Sequence, residues 1–268
     1  MSARPPATAP VLEARSLSVG YAGRAVVPDL DFTLEKGRTL SLVGANGSGK
    51  TTLLKTMAAL LAPVSGELRV LGAAPGAFPA RVAYLGQFHP SGFVLPLRSI
   101  DVVRMARFAS LRLMGRATRE DERQVEQAMA VMGVSALRNE PLDVLSGGQR
   151  QRVLIAQALA RGAELLLLDE PAASLDGGGR ETYRGVLRDA ASAGCSAVVA
   201  THDIEEAAAS DYAMLLAQRV VAFGRGREVL TAEALLSTFG LVVRYGEGGV
   251  MVFEHEGDHH CGGDGRAP

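Results

Sequence analysis

The chain has 268 residues, 47% of them hydrophobic and 21% charged, with a formal net charge of −1; this globular composition excludes disordered and collagen-like classes. The near-neutral balance supplies no basic field for holding nucleic acid, so no nucleic-acid partner is expected. Two cysteines, Cys195 and Cys261, are too few for a disulfide framework and suit a reducing compartment. Met1 to Pro10 lacks the apolar stretch of a secretion signal, and no apolar run reaches the ~20 residues of a membrane span. If the chain serves transport, the pore is expected in another polypeptide.

Val11 to Tyr21 and Leu30 to Leu34 carry strand patterns, the second through alternating Leu30, Phe32 and Leu34. Thr39 to Val43 is a short apolar strand that runs into a glycine-rich loop. Beyond the loop, Leu53, Leu54, Met57, Leu60 and Leu61 recur at helical spacing, and Glu67 to Leu71 gives another alternating strand. From about Phe93 to Asp143, Val102, Val103, Ala106, Val125, Met129 and Met132 fall at helical spacing among charged residues, which predicts an inserted helical region. The apolar runs Leu165 to Leu168, Ala197 to Ala200 and Met214 to Ala217 then alternate with helical stretches. That alternation predicts an α/β core with a parallel sheet covered on both faces. The order is expected to end near Glu254, before a Gly- and His-rich tail.

Three segments carry chemistry. Gly44, Ala45, Asn46, Gly47, Ser48, Gly49, Lys50 and Thr51 fit the Walker A pattern between a strand and a helix. Glycines there let backbone amides turn toward phosphate oxygens, and the helix start adds its positive dipole end. Lys50 supplies a charge for the β and γ phosphates, and Thr51 a hydroxyl for Mg²⁺. A Lys at a helix N-terminus with no anionic ligand would face the positive dipole end, which weighs against a mere connecting turn. Leu165 to Leu168 deliver Asp169 and Glu170 to the end of a buried strand, a place for one carboxylate on Mg²⁺ and one polarising water. By itself such an acidic pair is more often a solvated turn. Leu145, Ser146, Gly147, Gly148 and Gln149 open a helix with Val153, Leu154 and Leu159 on its apolar face. Ser146 reads as an N-cap, and the bare first turn as a second anion site or simply a solvated helix end.

Walker A at Gly44 to Thr51, the signature at Leu145 to Gln149 and Walker B at Leu165 to Glu170 occur in the order found in ABC-transporter ATPases, and the resemblance runs from about Val11 to Gly240. It implies a P-loop NTPase core with a parallel sheet, an N-terminal antiparallel β subdomain and an inserted helical subdomain at about 90–145. One ATPase domain over 11–254 and a tail over 255–268 follow. The resemblance also implies ATP and Mg²⁺ as ligands. Tyr21 takes the adenine-stacking position, Thr52 joins the nucleotide loop, and Gln87 matches the Q-loop, which with Thr51 and Asp169 serves Mg²⁺. Asp176 falls in the D-loop, and His202 matches the switch histidine beside catalytic Glu170 and Lys50. Expected partners are a second ATP-binding subunit, the same chain, whose Ser146 to Gln149 complete the site in trans; a membrane permease; and an extracytoplasmic substrate-binding protein. The expected location is the cytoplasmic face of the membrane.

The stretch Tyr84 to Met132 resembles the helical subdomain of manganese, zinc and iron-chelate importers, and the later runs Arg219 to Gly224, Glu228 to Thr231 and Phe239 to Gly240 resemble the end of the manganese and zinc branch. Another cargo, or a soluble mechanical or regulatory ATPase, stays as an alternative. His255, His259, His260 and Cys261 are either a metal-sensing group or a solvated tail. Gly86 stands before Gln87 where many relatives have proline, and Gly177 to Gly179 are expected to loosen the start of the next helix.

Overall fold

A computed structural model describes residues 10–87, 96–108 and 117–239, and the backbone of two strands at 241–245 and 251–255. Phe93 to Leu95 of the expected insertion, and His259, His260 and Cys261 of the tail, lie outside the described residues.

In chain order, strands β1 (Leu12–Tyr21), β2 (Arg24–Leu34) and β3 (Thr39–Val43) precede helix α1 (Lys50–Met57), then β4 (Ser65–Val70) and β5 (Val82–Leu85). Helices α2 (Ser99–Phe108), α3 (Arg119–Val131) and α4 (Gly147–Ala160) come next, followed by β6 (Leu165–Asp169), α5 (Gly177–Ser192) and β7 (Ser196–Thr201). The chain closes with α6 (Ile204–Ala209), β8 (Tyr212–Leu216), β9 (Val220–Arg225), α7 (Gly226–Val229), α8 (Ala232–Phe239), β10 (Leu241–Tyr245) and β11 (Met251–His255).

The central sheet has the order β5-β6-β7-β3-β8-β9, parallel except for the antiparallel edge strand β9. A separate antiparallel sheet, β2-β1-β4, lies at the N-terminal side, and β10 and β11 form a hairpin. The four-leucine run of β6 shows why a parallel strand needs apolar residues throughout. Leu165 and Leu167 pack with the antiparallel sheet and α1 on one face, whereas Leu166 and Leu168 pack with α2, α3, α4 and α5 on the other. The side-chain period of two assigns them so. Val102, Val103, Ala106, Val125, Met129 and Met132 are all buried in that second cluster, which roots the helical insertion on the sheet.

Local chemistry sets the element ends. Thr118 and Asp121 make a reciprocal capping box on α3, with Asp121 also accepting from Arg107 Nε of α2 at 2.8 Å. Helix α1 is shorter than its apolar spacing predicts. Ala59 turns into the left-handed region at φ 59, Leu60 N–H donates back to the Lys55 carbonyl at 2.8 Å, and the Leu60 side chain is 60% exposed. This is a Schellman-type stop, and it removes Leu60 and Leu61 from the helix. Strand β2 starts six residues before its alternating segment, because Ala22 and Gly23, both at positive φ, make a two-residue hairpin turn from β1. Leu71, expected to end β4, instead sits at φ 54 just beyond it. The glycines that were expected to loosen α5 begin a 16-residue helix, because Asp176 caps it by accepting from Gly179 N–H at 2.8 Å.

Candidate nucleotide site

The register of the central sheet brings the expected residues to one edge. Strands β5, β6, β7 and β3 are neighbours and parallel, so their carboxyl ends lie side by side. From them emerge, in that order, Gln87, Asp169 with Glu170, His202, and the loop that begins at Gly44. Open α/β sheets bind ligands at this edge.

The loop shape depends on glycine at defined points. A Cβ on Gly44 would overlap the Leu216 carbonyl oxygen, and one on Gly49, at φ 106, would overlap the Val27 methyl Cγ2. Gly49 is the N-cap of α1, so the first-turn amides at Lys50, Thr51 and Thr52 have no intrahelical acceptor. Lys50 is 95% buried by its neighbours, being 5% exposed, and its Nζ donates to the carbonyls of Gly44 at 2.7 Å and Ala45 at 3.0 Å. Burial lowers its pKa, while Glu170 and Asp169 oppose that shift.

Tyr21, Asn46, Gly47, Ser48, Gly49, Lys50, Thr51, Thr52, Gln87 and Glu170 line one cavity of ≈ 510 Å³. Gly44 and Ala45 do not line it; their carbonyls accept from Lys50. Tyr21 is 47% exposed at the end of β1, and its hydroxyl accepts from Thr52 Oγ1 at 3.5 Å. Asp169 is buried, with its pKa raised by desolvation and opposed by a hydrogen bond with Thr51. Its Oδ2 is shut off from solvent and has no protein partner, as does Ser48 Oγ. A buried carboxylate oxygen without a donor, beside a threonine hydroxyl, is the hard oxygen pair that suits Mg²⁺. The residues therefore fit a nucleotide with its metal.

Glu170 lies just beyond β6 at φ 49, in the left-handed region that a non-glycine residue adopts at a cost of about 1–3 kcal/mol. Its amide donates to the Ala200 carbonyl at 3.0 Å, and its Oε2 accepts from Gln87 Nε2 at 3.3 Å. Glu170 also lines a second cavity of ≈ 440 Å³ with His202, Arg180 and Asp203. His202 and Glu170 thus line a common cavity, one that the phosphate-loop residues do not line.

The structure does not bring Ser146, Gly147, Gly148 and Gln149 to either cavity. They open α4, where Ser146 Oγ accepts from Gln149 N–H at 3.2 Å and Gln149 Oε1 accepts from Ser146 N–H at 3.0 Å. Gly148 packs on the D-loop, since a Cβ there would stand 3.0 Å from the Ser174 carbonyl oxygen. Two residues that the sequence reading missed hold this region. Arg150 donates to the carbonyls of Leu142, Asp143 and Leu145, bracing the turn before Ser146. Gln151, buried, donates from Nε2 to the Pro171 carbonyl at 2.9 Å and ties α4 to the segment after Glu170. Its signal was available: Gln151, Ile155 and Ala158 share the buried stripe of α4, so a polar side chain there needs a partner. Among the described residues no group of three or more His, Cys, Asp and Glu side chains is placed to hold a metal ion.

The family model described as ABC transporter matches residues 27–173, more than half of the chain. The chain belongs to the ABC transporter ATP-binding family. It is an ATP-binding, ATP-hydrolysing transporter subunit. It is similar to a hemin import ATP-binding protein of Thermobifida fusca (strain YX), 36% identical over 87% of this chain and 83% of the relative. It is also similar to a manganese transport system ATP-binding protein of Bacillus subtilis (strain 168), 30% identical over 85% of this chain and 92% of the relative. A solved structure described as a metal-chelate type ABC transporter in an inward-facing conformation matches with a TM-score of 0.75 at 29% identity, covering 92% of this chain and 97% of the other. No helix among the described residues is long and apolar enough to cross a membrane.

Proposed function

We propose that this ATPase drives import of a metal cation or metal chelate through a separate permease at the cytoplasmic face of the membrane, with an extracytoplasmic substrate-binding protein delivering the cargo. The cargo class rests on the relatives, whose names include manganese and zinc transport systems and hemin and cobalt import proteins. Residues 11–254 act as one ATPase domain, the helical insertion at about 90–145 being rooted on its sheet.

In this reading two copies pair head to tail. The observation that carries it is the isolation of Ser146 to Gln149 from the cavity of their own chain, which leaves an exposed, capped helix start to face the nucleotide of a second copy. Tyr21 stacks on the base, the amides from Gly47 to Thr52 cradle the phosphates, and Lys50 exchanges its carbonyl partners for phosphate oxygens. Thr51, Asp169 and Gln87 would hold Mg²⁺, which when bound neutralises charge on the phosphate oxygens. Glu170 orients and polarises the attacking water, and His202 lies across from it to steady the transferred phosphoryl group. Asp176 keeps the D-loop and α5 in place between the two sites.

A Glu170→Gln variant should bind ATP as tightly as the parent, lose about 10²–10⁴-fold in turnover, and sediment as a dimer in ATP. Turnover at the parent rate would remove Glu170 from this role. Uptake of labelled manganese, zinc and hemin by vesicles holding the complete transporter then tests the cargo; ATP-driven uptake of none of them would refute the metal reading.

A further inference from the structure

The direction in which α4 starts decides where its first-turn donors point, and a side chain outside the signature fixes that direction. Ser146 Oγ accepts from Gln149 N–H, which leaves the hydroxyl proton to be donated outward, and the Gly147 and Gly148 amides have no acceptor within their own helix. Ser146 and Gly147 are exposed. The capping box shapes the end of the helix but does not tie it to the rest of the fold.

Arg150, in the next turn of α4, makes that tie. Its Nε donates to the Leu142 carbonyl at 3.0 Å, and its Nη2 donates to the carbonyls of Asp143 and Leu145, both at 3.2 Å. One planar guanidinium thereby spans the stretch that leads into Ser146, a fork that a single ammonium does not reproduce. The stretch is itself anchored. Leu142 and Leu145 are buried in the helical cluster, Leu142 N–H donates to the Leu97 carbonyl at 2.9 Å, and Ser99 N–H donates to the Glu140 carbonyl at 2.9 Å. The start of α2, the turn and the start of α4 are thus one hydrogen-bonded unit. A cation this near a helix N-terminus opposes the helix dipole, so the carbonyls, and not the dipole, hold Arg150 there.

We propose that Arg150 is a positioning residue for the half of the ATP site that acts in trans: by holding α4 to the Leu142–Leu145 turn, it aims Ser146, Gly147 and Gly148 at the nucleotide of a second copy. This rests on the head-to-tail pairing proposed above. Arg150 does not line the cavity assigned to its own chain's nucleotide. Its loss should therefore leave binding of ATP to the single chain untouched and weaken the step in which two chains close on that ATP.

Closure is read by sedimentation of full-length Glu170→Gln chains in ATP, and single-chain binding by a fluorescent-nucleotide titration at concentrations too low for pairing. Added to Glu170→Gln, Arg150→Ala should raise the concentration for half-dimerisation about tenfold with single-chain binding unchanged, and Ser146→Ala should do likewise. The two together should fall well short of the product of their effects, because both act through one helix start. Arg150→Lys keeps the charge but loses the fork, and should be nearly as impaired as Arg150→Ala. Should Arg150→Ala fail to fold, Arg150→Lys with and without Ser146→Ala gives the same comparison. Dimerisation unchanged by Arg150→Ala, effects that multiply in the double variant, a Lys variant equal to the parent, or a parallel loss of single-chain binding would each overturn the positioning role while leaving the pairing in place. A Glu170→Gln chain that stays single in ATP, or a Ser146→Ala variant that pairs at the unaltered concentration, would refute the head-to-tail reading, and the proposal would fall with it.

Discussion

Replacing Gly49 with alanine should damage the nucleotide loop more than the same change at Gly47, and the structure says by how much. Both glycines have positive φ, 106 at Gly49 and 79 at Gly47, so each Ala variant carries about 1–3 kcal/mol of backbone strain. A Cβ on Gly47 meets nothing within 4 Å. One on Gly49 overlaps Val27 Cγ2, and Val27 is fully buried against β1 and cannot withdraw, which adds about 1–3 kcal/mol of overpacking. Equilibrium urea unfolding of the two variants without nucleotide should therefore place Gly49→Ala below Gly47→Ala by about 1–3 kcal/mol at an unchanged slope. Adding Val27→Ala to Gly49→Ala should return that same increment as a coupling energy. Equal losses for the two glycine variants, or no coupling to Val27, would show that the loop does not owe its shape to this contact.

Tyr21→Ala should leave stability near that of the parent, because the ring is half exposed, yet weaken ATP about 5–10-fold in a fluorescent-nucleotide titration, with Tyr21→Phe near the parent. Lys50→Ala should lose ATP binding in the same titration. The Thr118 hydroxyl and amide, followed by Arg107, hold the Asp121 carboxyl down at about 2, against an unfolded value near 3.8. Because the folded value is the lower, this stabilisation is full above pH ~4 and is lost as pH falls toward 2. Asp121→Asn should therefore flatten that part of the stability–pH curve, and an unchanged curve would contradict the assignment.

The core of this fold was legible because parallel strands buried on both faces leave an unbroken apolar record, as Leu165 to Leu168 do. The nucleotide loop was legible for a different reason: close backbone approach and a cationic side chain together admit few residue types, so Gly44 to Thr51 read correctly as a turn between strand and helix. The end of α1 was not legible, since Leu60 and Leu61 kept the spacing of the buried stripe while Ala59, an unusual residue for a left-handed turn, stopped the helix. The β1–β2 hairpin escaped for a like reason, its turn being Ala22-Gly23 rather than Asn-Gly. What no local pattern records is a contact between segments far apart in sequence. Gln87 to Glu170, Gln151 to Pro171 and Arg184 to Asp203 join residues whose own windows give no hint of one another.

Those contacts converge on one short stretch. Glu170 takes its hydrogen bond from Gln87, the next residue gives its carbonyl to Gln151 of the signature helix, and the D-loop that follows packs under Gly148. A shift of α4 would reach Glu170 through that buried amide as well as through the Gly148 contact. Gln151→Leu keeps the volume but leaves the Pro171 carbonyl without its donor, at a cost of about 1–3 kcal/mol if it stays buried. The expected result is a folded protein that binds ATP normally but whose turnover no longer rises when the permease is present. Stimulation by the permease equal to that of the parent would mean that the signature helix and Glu170 communicate by another route.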